Sequence, residues 1–450
     1  MRVHFIAIGG SAMHNLAIAL HQKGFVVSGS DDQVFEPSRS RLQKYGLLPS
    51  IEGWNPDRIT EDIDAVIVGM HARPDNPELL KAQMLGIKIY SYPEYLFEQT
   101  RQKKRVVIAG SHGKTTITSM LLHVMKVLGK KVDFMVGARL KGFETMVHLS
   151  DDSDIAIFEG DEYLSSPIDR RPKFLWYQPH IALISGIAWD HINVFPTIEE
   201  YNQQFERFVQ TIQPGGTLFY YGGDPTLRNI AQSLNSTETV AYDALEAKTE
   251  QGKTIVHYGK NKYELKIFGQ HNLQNLSGAL LVAQKTGIAP TDFLEAMQSF
   301  EGASRRLQIL AENKDATVFF DFAHAPSKVK ATVAAVKEQY PHRHLTAVAE
   351  LHTFSSLNRK FLPQYKDTLM AADNAVIFYN PEVIKHKKLP PITPDDVKAA
   401  FGSPRLRIIT NATELETFLT QLKPLNGNLL VMSSGNLGGI NLRSIASQII

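Results

Sequence analysis

The chain has 450 residues, of which 43% are hydrophobic and 21% are charged, and this is the composition of an ordinary globular protein. At about 150 residues per domain, the length predicts about three domains rather than a single core. The 48 basic and 46 acidic residues leave a net charge of +2, which argues against nucleic acid or an anionic membrane as partner, whereas a small polyanion needs only local charge.

Cysteine is absent, which excludes disulfides, thiolate metal sites and a cysteine nucleophile. The first residues, MRVHFIAIGGSAM, begin with an apolar run, but Gly9 and Gly10 interrupt it, so the segment lacks the pattern of a signal peptide. No stretch approaches the roughly 18 continuous apolar residues of a membrane-spanning helix. We therefore expect a cytoplasmic protein.

The first third of the chain begins like a dinucleotide-binding domain. The pattern predicts a strand from Val3 to Ile8, a glycine turn and an amphipathic helix. A second predicted strand, Phe25 to Ser28, is followed by Asp31, an acidic residue that suits a ribose hydroxyl. The glycine pattern is degenerate, with Ala7 and His14 at two of its positions. A nucleotide-binding turn and plain β-α-β packing are therefore equal alternatives here.

Two further strand-and-loop units complete this first third. Their predicted strands are Ala65 to Gly69 and Ile87 to Tyr90. The segment that follows, Glu98 to Arg105, is charged and has no apolar face. We expect this segment to be the linker after the first domain.

The most informative stretch is Val106 to Met120, VVIAGSHGKTTITSM, which predicts a strand, a glycine loop and an amphipathic helix. In such a loop the backbone N–H groups converge on a phosphate, Lys114 adds positive charge, and the Thr115 hydroxyl can bind Mg²⁺. The general phosphate-loop pattern has a glycine where this chain has Ile108, so this is a shorter GxxGKTT form. The stretch predicts a nucleoside triphosphate site; the alternative is a simple glycine turn beside an exposed lysine.

Two predicted strands of the middle third are followed by candidate metal ligands. Ile155 to Phe158 is followed by Glu159, and Ile181 to Ile187 is followed by a segment that contains His191. Because ligands bind beyond the carboxyl ends of parallel strands, both side chains are expected at the same sheet edge as the glycine loop. A carboxylate and an imidazole can hold a metal ion at a triphosphate. Taken singly, Glu159 could equally cap a helix or be solvated, and His191 could be a hydrogen-bonded loop histidine.

Further polar motifs lie at helix starts and strand ends. Asn272, in GQHNLQN, suits either an adenine edge or a helix cap. Arg305 and Arg306 suit phosphate or carboxylate binding by bidentate geometry, although arginine pairs on linkers are usually solvated. The predicted strands of the last third are Thr317 to Asp321, Leu345 to Ala349, Ala375 to Phe378, Leu406 to Ile409 and Asn428 to Met432.

Taken in order, these motifs resemble those of the Mur ligases. They are GSHGKTT, EGDEY, Asp190-His191, GQHNLQN, the RRL at Arg305 to Leu307, and DFAHAP, and they extend across the whole chain. The resemblance implies an α/β fold of three domains: an N-terminal Rossmann-like domain for a UDP-sugar, a central P-loop mononucleotide-binding domain, and a C-terminal Rossmann-like domain that closes over ATP and brings the amine. We expect these domains at residues 1–98, 99–300 and 301–450.

The resemblance also implies the chemistry, which is amide formation with ATP and Mg²⁺ through an acyl phosphate that an amine attacks. The catalytic residues it implies are Lys114, Glu159, His191 and Arg306, with Thr115, Glu159 and His191 as metal ligands. The implied ATP contacts are Gly110, Ser111, His112, Gly113, Lys114, Thr115, Thr116, Asn272, Arg306, Asp321 and His324. The implied UDP-sugar contacts are Gly9, Gly10, Ser11, Met13, Asp31 and His71.

Within the family, the turn IAIGGSAM resembles the branch that acts on UDP-N-acetylmuramate. The segments EGDEYLSSPIDRRPKFLWYQP, SYPEYL and MSSGNLGGI favour L-alanyl-γ-D-glutamyl-meso-diaminopimelate, a recycled peptide, as the amine substrate. Leu351 to Ser355 instead resembles the enzyme that adds L-alanine, with Ser356 in place of the arginine of that pattern. The alternative of another class is a nucleotide-binding regulator without turnover. The oligomeric state is left open.

Overall fold

The computed structural model describes residues 1–70, 72–189, 194–250, 253–303, 305–403 and 405–450. Over these ranges the chain forms three mainly parallel sheets, one after another, and one small antiparallel sheet. The predicted three-domain α/β fold is thereby confirmed. Domain boundaries at residues 98 and 300 remain our proposal. No helix in the described ranges is both long and apolar enough to cross a membrane.

The N-terminal part alternates strands with helices. Its elements are β1 Arg2–Ile6, α1 Ser11–Gln22, β2 Val26–Ser30, α2 Ser38–Lys44, β3 Ala65–Val68, α3 Pro77–Met84, β4 Lys88–Ser91 and α4 Tyr92–Gln99. The strands are parallel, in the order β2-β1-β3-β4. Val3 and Phe5 of β1 pack on one face and Ile6 on the other, so the sheet is covered on both faces, as parallel sheets are.

The turn after β1 shows how Ala7 is held at a position where the glycine pattern has glycine. Ala7 takes a left-handed backbone conformation, with φ 67°, which glycine adopts at lower cost. Its N–H group and that of Ile8 both donate to the carbonyl of Ser30, at 2.9 and 3.0 Å. These bonds end β1 at Ile6, two residues before the predicted end, and they hold the turn against β2.

The central part contains the largest sheet. Its elements are β5 Lys104–Ala109, α5 Lys114–Val127, β6 Asp133–Met135, β7 Val147–His148, β8 Ile155–Glu159, β9 Ile181–Ile184, α6 Ile198–Val209, β10 Thr217–Tyr221, α7 Pro225–Gln232 and β11 Glu238–Tyr242. The strand order is β11-β10-β9-β5-β8-β6-β7, and only β7 runs antiparallel to its neighbour among these described strands. The loops after β5, β8 and β9 therefore meet at one sheet edge.

An antiparallel meander follows the central sheet, and neither it nor β10 and β11 is predicted by the sequence patterns. The meander and the helices after it are β12 Ala247–Glu250, β13 Lys253–Tyr258, β14 Asn261–Leu265, α8 Gln270–Lys285 and α9 Pro290–Met297. Helix α8 packs against α5. Helix α5 follows the glycine loop of residues 110–113, which is called the phosphate loop below.

The segment Glu98 to Arg105, our expected linker after the first domain, is partly built into regular elements. It contains the last two residues of α4 and the first two of β5. Arg105 is 3% exposed, and its guanidinium donates to five backbone carbonyls, those of Thr100, Arg101, Lys103, Tyr177 and Gln178. The carbonyls replace water around this charge, and a charged run in a sequence does not reveal such partners.

The C-terminal part forms a six-stranded sheet. Its elements are β15 Gln308–Glu312, β16 Ala316–Asp321, α10 Pro326–Gln339, β17 Leu345–Glu350, β18 Asn374–Phe378, α11 Pro381–His386, α12 Pro394–Phe401, β19 Arg407–Ile409, α13 Ala412–Thr420, β20 Gly427–Met432 and α14 Leu442–Ile449. The order is β15-β16-β20-β17-β18-β19, with β15 antiparallel. The carboxyl ends of β16, β20 and β17 lie side by side.

Proline sets the start of many helices. Among the described α-helices, six begin with it, at Pro77, Pro225, Pro290, Pro326, Pro381 and Pro394. Proline suits the first helical position because its φ is preset and the missing N–H would have no partner inside the helix. These helix starts are therefore defined locally by the sequence.

Candidate active site

The phosphate loop lies at the carboxyl end of β5. Helix α5 begins at Lys114, directly after Gly113, which has φ 77°. Gly110 has φ 121°, a conformation that side chains rarely adopt. The N–H of Ser111 donates to the carbonyl of Gly186, beyond β9, at 2.9 Å. The N-terminus of α5 therefore opens at the edge where the strands end, as an anion site requires.

Lys114 is held in place by two acceptors. Its Nζ donates to the carbonyl of Gly110 and to Glu162 Oε2, both at 2.7 Å. Burial opposes its charge, but the carboxylates of Glu162, Asp161 and Glu159 outweigh this effect and raise the pKa of Lys114 above its ordinary value. The ammonium stays charged at the loop, where it can neutralise phosphate oxygens.

Glu159 lies next to the first hydroxyl of helix α5. Its Oε1 accepts from Thr115 Oγ1 at 2.8 Å, and its Oε2 accepts from the N–H of Gly137 at 2.7 Å. The residue is 8% exposed. A carboxylate and a hydroxyl side by side are the hard oxygen ligands that Mg²⁺ prefers. His191, the third predicted ligand, lies outside the described residues.

Tyr201 links the phosphate loop to Glu162. Sequence reasoning missed this residue. Its hydroxyl lies 2.8 Å from Ser111 Oγ and donates to Glu162 Oε1 at 2.8 Å. Ser111 Oγ also accepts from the N–H of Ala188 at 2.8 Å. Tyr201 is on the apolar face of α6 with Phe205 and is fully buried. Helical spacing predicts such a tyrosine as core, but it does not identify the partners of the hydroxyl.

We expect Tyr201→Phe to raise the KM for ATP about tenfold, with a smaller effect on kcat, because losing a buried hydrogen-bonded hydroxyl costs about 1–3 kcal/mol. Ser111 and Glu162 each lose one bond, so the loop and Lys114 are held less firmly. Steady-state kinetics and Tm measure the effect. Tyr258→Phe, on the exposed meander, is the control and should change neither. An unchanged KM for ATP in Tyr201→Phe would contradict this role.

A cavity of about 430 Å³ separates the phosphate loop from the C-terminal sheet. Residues 111–116, residues 185–188 and the first turn of α8 form one side, and Arg306, Leu307 and residues 321–323 form the other. The volume falls in the range of small-molecule sites, about 300–1,000 Å³. His112 Nε2 lies 2.6 Å from Ser327 Oγ, at the start of α10. The loop and the C-terminal part are thus in direct contact beside the cavity.

The C-terminal wall carries Arg306, Asp321 and His324. The Arg306 guanidinium lies 4.9 Å from the ring centre of Phe322, and burial lowers its pKa, an effect that Asp321 and Glu159 counter. Burial raises the pKa of Asp321, and Arg306 opposes the rise. His324 Nδ1 lies 2.8 Å from the carbonyl of Phe322, just beyond the lining residues. The structure thus brings Arg306 within electrostatic reach of Glu159 across the cavity.

Asn272, the predicted adenine contact, lies in the first turn of α8. Its Nδ2 donates to the carbonyl of Phe268 at 2.9 Å, and the N-cap position is taken by Gly269. Beside it, burial lowers the pKa of His271 to about 4, so this ring is neutral near pH 7. Both residues line the cavity. The adenine contact remains a prediction.

The predicted UDP-sugar turn lies at the end of β1. The N–H of Gly9 donates to Asp31 Oδ2 at 2.7 Å. Asp31 is 5% exposed, and burial, with a hydrogen bond to Asp32, raises its pKa to about 7. Gly10 precedes α1, whose first residue, Ser11, is exposed. Asp31 therefore supports the turn, and contact with a ribose remains a prediction. His71 lies outside the described residues.

Helix α1 connects this turn to the central sheet. It contains the buried Met13, another predicted sugar contact. Asn15 Oδ1 accepts from the N–H of Met146 at 2.9 Å, directly before β7. Strand β7 pairs with β6, and after β6 the N–H of Gly137 binds Glu159. A short path of contacts thus links the turn with the carboxylate beside the phosphate loop.

Comparison with known proteins identifies relatives over the whole fold. Three family models match: "Mur ligase family, catalytic domain" over residues 2–104, "Mur ligase middle domain" over residues 108–283 and "Mur ligase, glutamate ligase domain" over residues 305–435. The UDP-N-acetylmuramate–L-alanine ligase of Carboxydothermus hydrogenoformans is 31% identical, with 84% of this chain and 81% of the relative covered. The UDP-N-acetylmuramate–L-alanyl-γ-D-glutamyl-meso-2,6-diaminoheptandioate ligase of Haemophilus influenzae is 28% identical, with 98% and 97% covered.

Solved structures show the same fold. A murein peptide ligase from Psychrobacter arcticus superposes with a TM-score of 0.68 at 22% identity, covering 100% of this chain and 99% of the other. The UDP-N-acetylmuramate-alanine ligase from Thermotoga maritima superposes with a TM-score of 0.71 at 20% identity, covering 100% and 98%.

The fold and the cavity define a three-domain P-loop protein. With the relatives above, the chain belongs to the Mur ligase family. Members of this family are ATP-dependent, ADP-forming amide ligases of peptidoglycan synthesis, and this protein is an enzyme of that class.

Proposed function

We propose that the enzyme joins UDP-N-acetylmuramate to L-alanyl-γ-D-glutamyl-meso-diaminopimelate in the cytoplasm, the reaction of a murein peptide ligase. The observation that carries the proposal is one cavity with Lys114, Thr115 and Glu159 on one side and Arg306 on the other. Positive groups on both sides of a triphosphate-sized space suit phosphoryl transfer, in which catalysis is mainly positioning and charge stabilisation.

In this proposal each group has one task. Lys114 binds the β- and γ-phosphates, and the N–H groups of the phosphate loop bind the oxygens around them. Thr115 and Glu159, with His191, would hold Mg²⁺, which supplies charge neutralisation at the triphosphate. The adjacent carboxylate and hydroxyl, 2.8 Å apart, fit a hard cation. Arg306 contacts the phosphoryl group from the opposite wall.

The proposed reaction has two steps, acyl phosphate formation and amide formation. A carboxylate oxygen of the muramyl group attacks the γ-phosphorus, and the bond to the β–γ bridging oxygen breaks, releasing ADP. The neutral amine of the second substrate attacks the acyl carbon, the C–O bond to phosphate breaks, and the proton that the amine loses goes to the departing phosphate, which leaves as hydrogen phosphate. The turn after β1 would hold the UDP part, and the path from α1 to Gly137 and Glu159 would set its distance from the donor.

Support for the tripeptide comes from the C-terminal sheet edge. In the turn after β17, Ser356 is fully buried and its Oγ accepts from the N–H of Thr353 at 2.9 Å, so it presents no cation where the L-alanine-adding pattern has arginine. Phe354 is 42% exposed, and Lys387 Nζ lies 4.3 Å from its ring centre. An aromatic ring with a cation suits a peptide that carries several carboxylates better than free L-alanine.

The curated relatives divide between L-alanine and tripeptide ligases at similar identity, so L-alanine is the second candidate. A substrate panel decides between them. The full chain is incubated with ATP, Mg²⁺ and UDP-N-acetylmuramate, and phosphate release is compared for the tripeptide, its L-lysine analogue and L-alanine. We expect turnover with the diaminopimelate peptide. Turnover with L-alanine alone would reject the tripeptide assignment, and ATP binding without turnover on any amine would favour a regulator.

A further inference from the structure

The segment between the central and C-terminal parts has a strained backbone. Two non-glycine residues, Arg305 with φ 59° and Leu307 with φ 43°, lie in the left-handed region, close to Gly302 with φ 93°. For residues with a side chain this conformation costs about 1–2 kcal/mol each. Neither arginine nor leucine offers the local side-chain bond that lets asparagine or aspartate tolerate it. Other contacts must therefore hold this segment.

Asp321 supplies the main contact. Its Oδ2 accepts from the N–H of Leu307 at 2.6 Å, and its Oδ1 accepts from the N–H of Ala323 at 2.7 Å. The N–H of Phe322 donates to the carbonyl of Arg305 at 2.8 Å. Asp321 is 5% exposed, so these are buried, charge-assisted bonds of the stronger kind. The end of β16 thus binds the backbone on both sides of Arg306.

The fixed backbone sets the direction of Arg306. This residue is between the two left-handed positions, its guanidinium lies on the Phe322 ring, and it lines the cavity. Were Leu307 to relax to an ordinary φ, the chain direction after Arg306 would change and the guanidinium would move with it. A displacement of about 1 Å of a positioning group can cost a hundredfold in rate.

We propose that Asp321 is a positioning residue, whose carboxylate holds the left-handed turn at Leu307 so that Arg306 projects into the ATP cavity. This inference rests on the proposed role of Arg306 in phosphoryl transfer. It gives Asp321 a role beyond the expected nucleotide contact, because both of its carboxylate oxygens accept backbone N–H groups, at Leu307 and Ala323. The effect of Asp321 on catalysis passes through Arg306.

A double-mutant cycle tests this coupling in the full chain. We expect Asp321→Ala to lower kcat at least tenfold in the native background but less than twofold in the Arg306→Ala background, because coupled residues are non-additive. Asp321→Asn, which keeps one acceptor, should give an intermediate loss with the same coupling. The readout is ADP release with the amine that the native enzyme uses, together with the KM for ATP and Tm.

Asp373→Ala is the matched control for lost stability. Asp373 Oδ2 accepts from the N–H of Leu345 at 2.7 Å at the opposite edge of the same sheet, so this variant should lower Tm and leave kcat unchanged. Additive losses from Asp321 and Arg306 would overturn the inference and would indicate direct nucleotide contact by Asp321. Native kcat in Arg306→Ala would instead reject the proposed role of Arg306, which is a distinguishable failure.

Discussion

Lys114→Ala is expected to reduce kcat/KM about a thousandfold, or about 4 kcal/mol of transition-state stabilisation, the scale of removing one preorganised charge donor. Lys114 Nζ lies 2.7 Å from Glu162 and its pKa is raised, so the native enzyme has a permanent cation at the phosphate loop. Alanine removes that cation and takes the ammonium away from Glu162 Oε2, so the negative charge of Glu162 opposes the incoming triphosphate. The loss of the ammonium and the repulsion by Glu162 both weaken ATP binding. Only the loss of the ammonium acts specifically on the phosphoryl group that is transferred.

Lys126→Ala is the matched control for this prediction. Lys126 is in the last turn of the same helix, is exposed, and donates to the carbonyl of Gly142 at 2.8 Å. This variant should keep kcat/KM within twofold. ADP release under saturating and limiting ATP separates loss of binding from loss of kcat. If Lys114→Ala kept native kcat and only raised the KM for ATP, Lys114 would bind the ground state and the transition state equally.

The parts of the site that the sequence predicts are those set by neighbouring residues. The glycines, Lys114 and Thr115 follow one another, and the strand before them and the helix after them are recognisable from their own periodicity. Tyr201 is different, because its partners Glu162 and Ser111 are 39 and 90 residues away. Such a partnership depends on the order of strands in the sheet, and periodicity carries no information about that order.

The same distinction holds for the fold. Most of the buried parallel strands are predicted, because they are continuous apolar runs, but β10 is missed although its first three residues are buried. The meander was missed because its strands are mostly exposed. Strand β12 has no buried residue, and in β13 only residues 254–256 are buried. What stabilises such strands is pairing across the sheet and packing on one face, which are tertiary effects. The left-handed Ala7 is a similar case, since its cost is offset by bonds to Ser30 on a neighbouring strand.

Gly110→Ala is expected to abolish ATP binding and ligation and to lower Tm. Gly110 has φ 121°, and a Cβ at this position would lie 2.5 Å from Ser185 Oγ and 2.9 Å from the backbone nitrogen of Ser185. The backbone of Ser185 directly follows β9, so moving it would cost stability in the sheet. The loop must therefore shift, and with it the Gly110 carbonyl that accepts from Lys114. The steric conflict lowers stability, and the displacement of Lys114 weakens ATP binding.

Gly129→Ala separates the steric cost from the conformational cost. Gly129 follows the other end of the same helix, has φ 64°, and a Cβ there would have nothing within 4 Å. Its replacement should cost about 1 kcal/mol of stability, the ordinary penalty of a left-handed alanine, and should leave kcat and the KM for ATP unchanged. Calorimetry with ATP and thermal unfolding of both variants measure the difference. Native ATP affinity in Gly110→Ala would mean that the loop can bind phosphate in a second backbone conformation, and the tight approach of the loop to Ser185 would then have no part in binding.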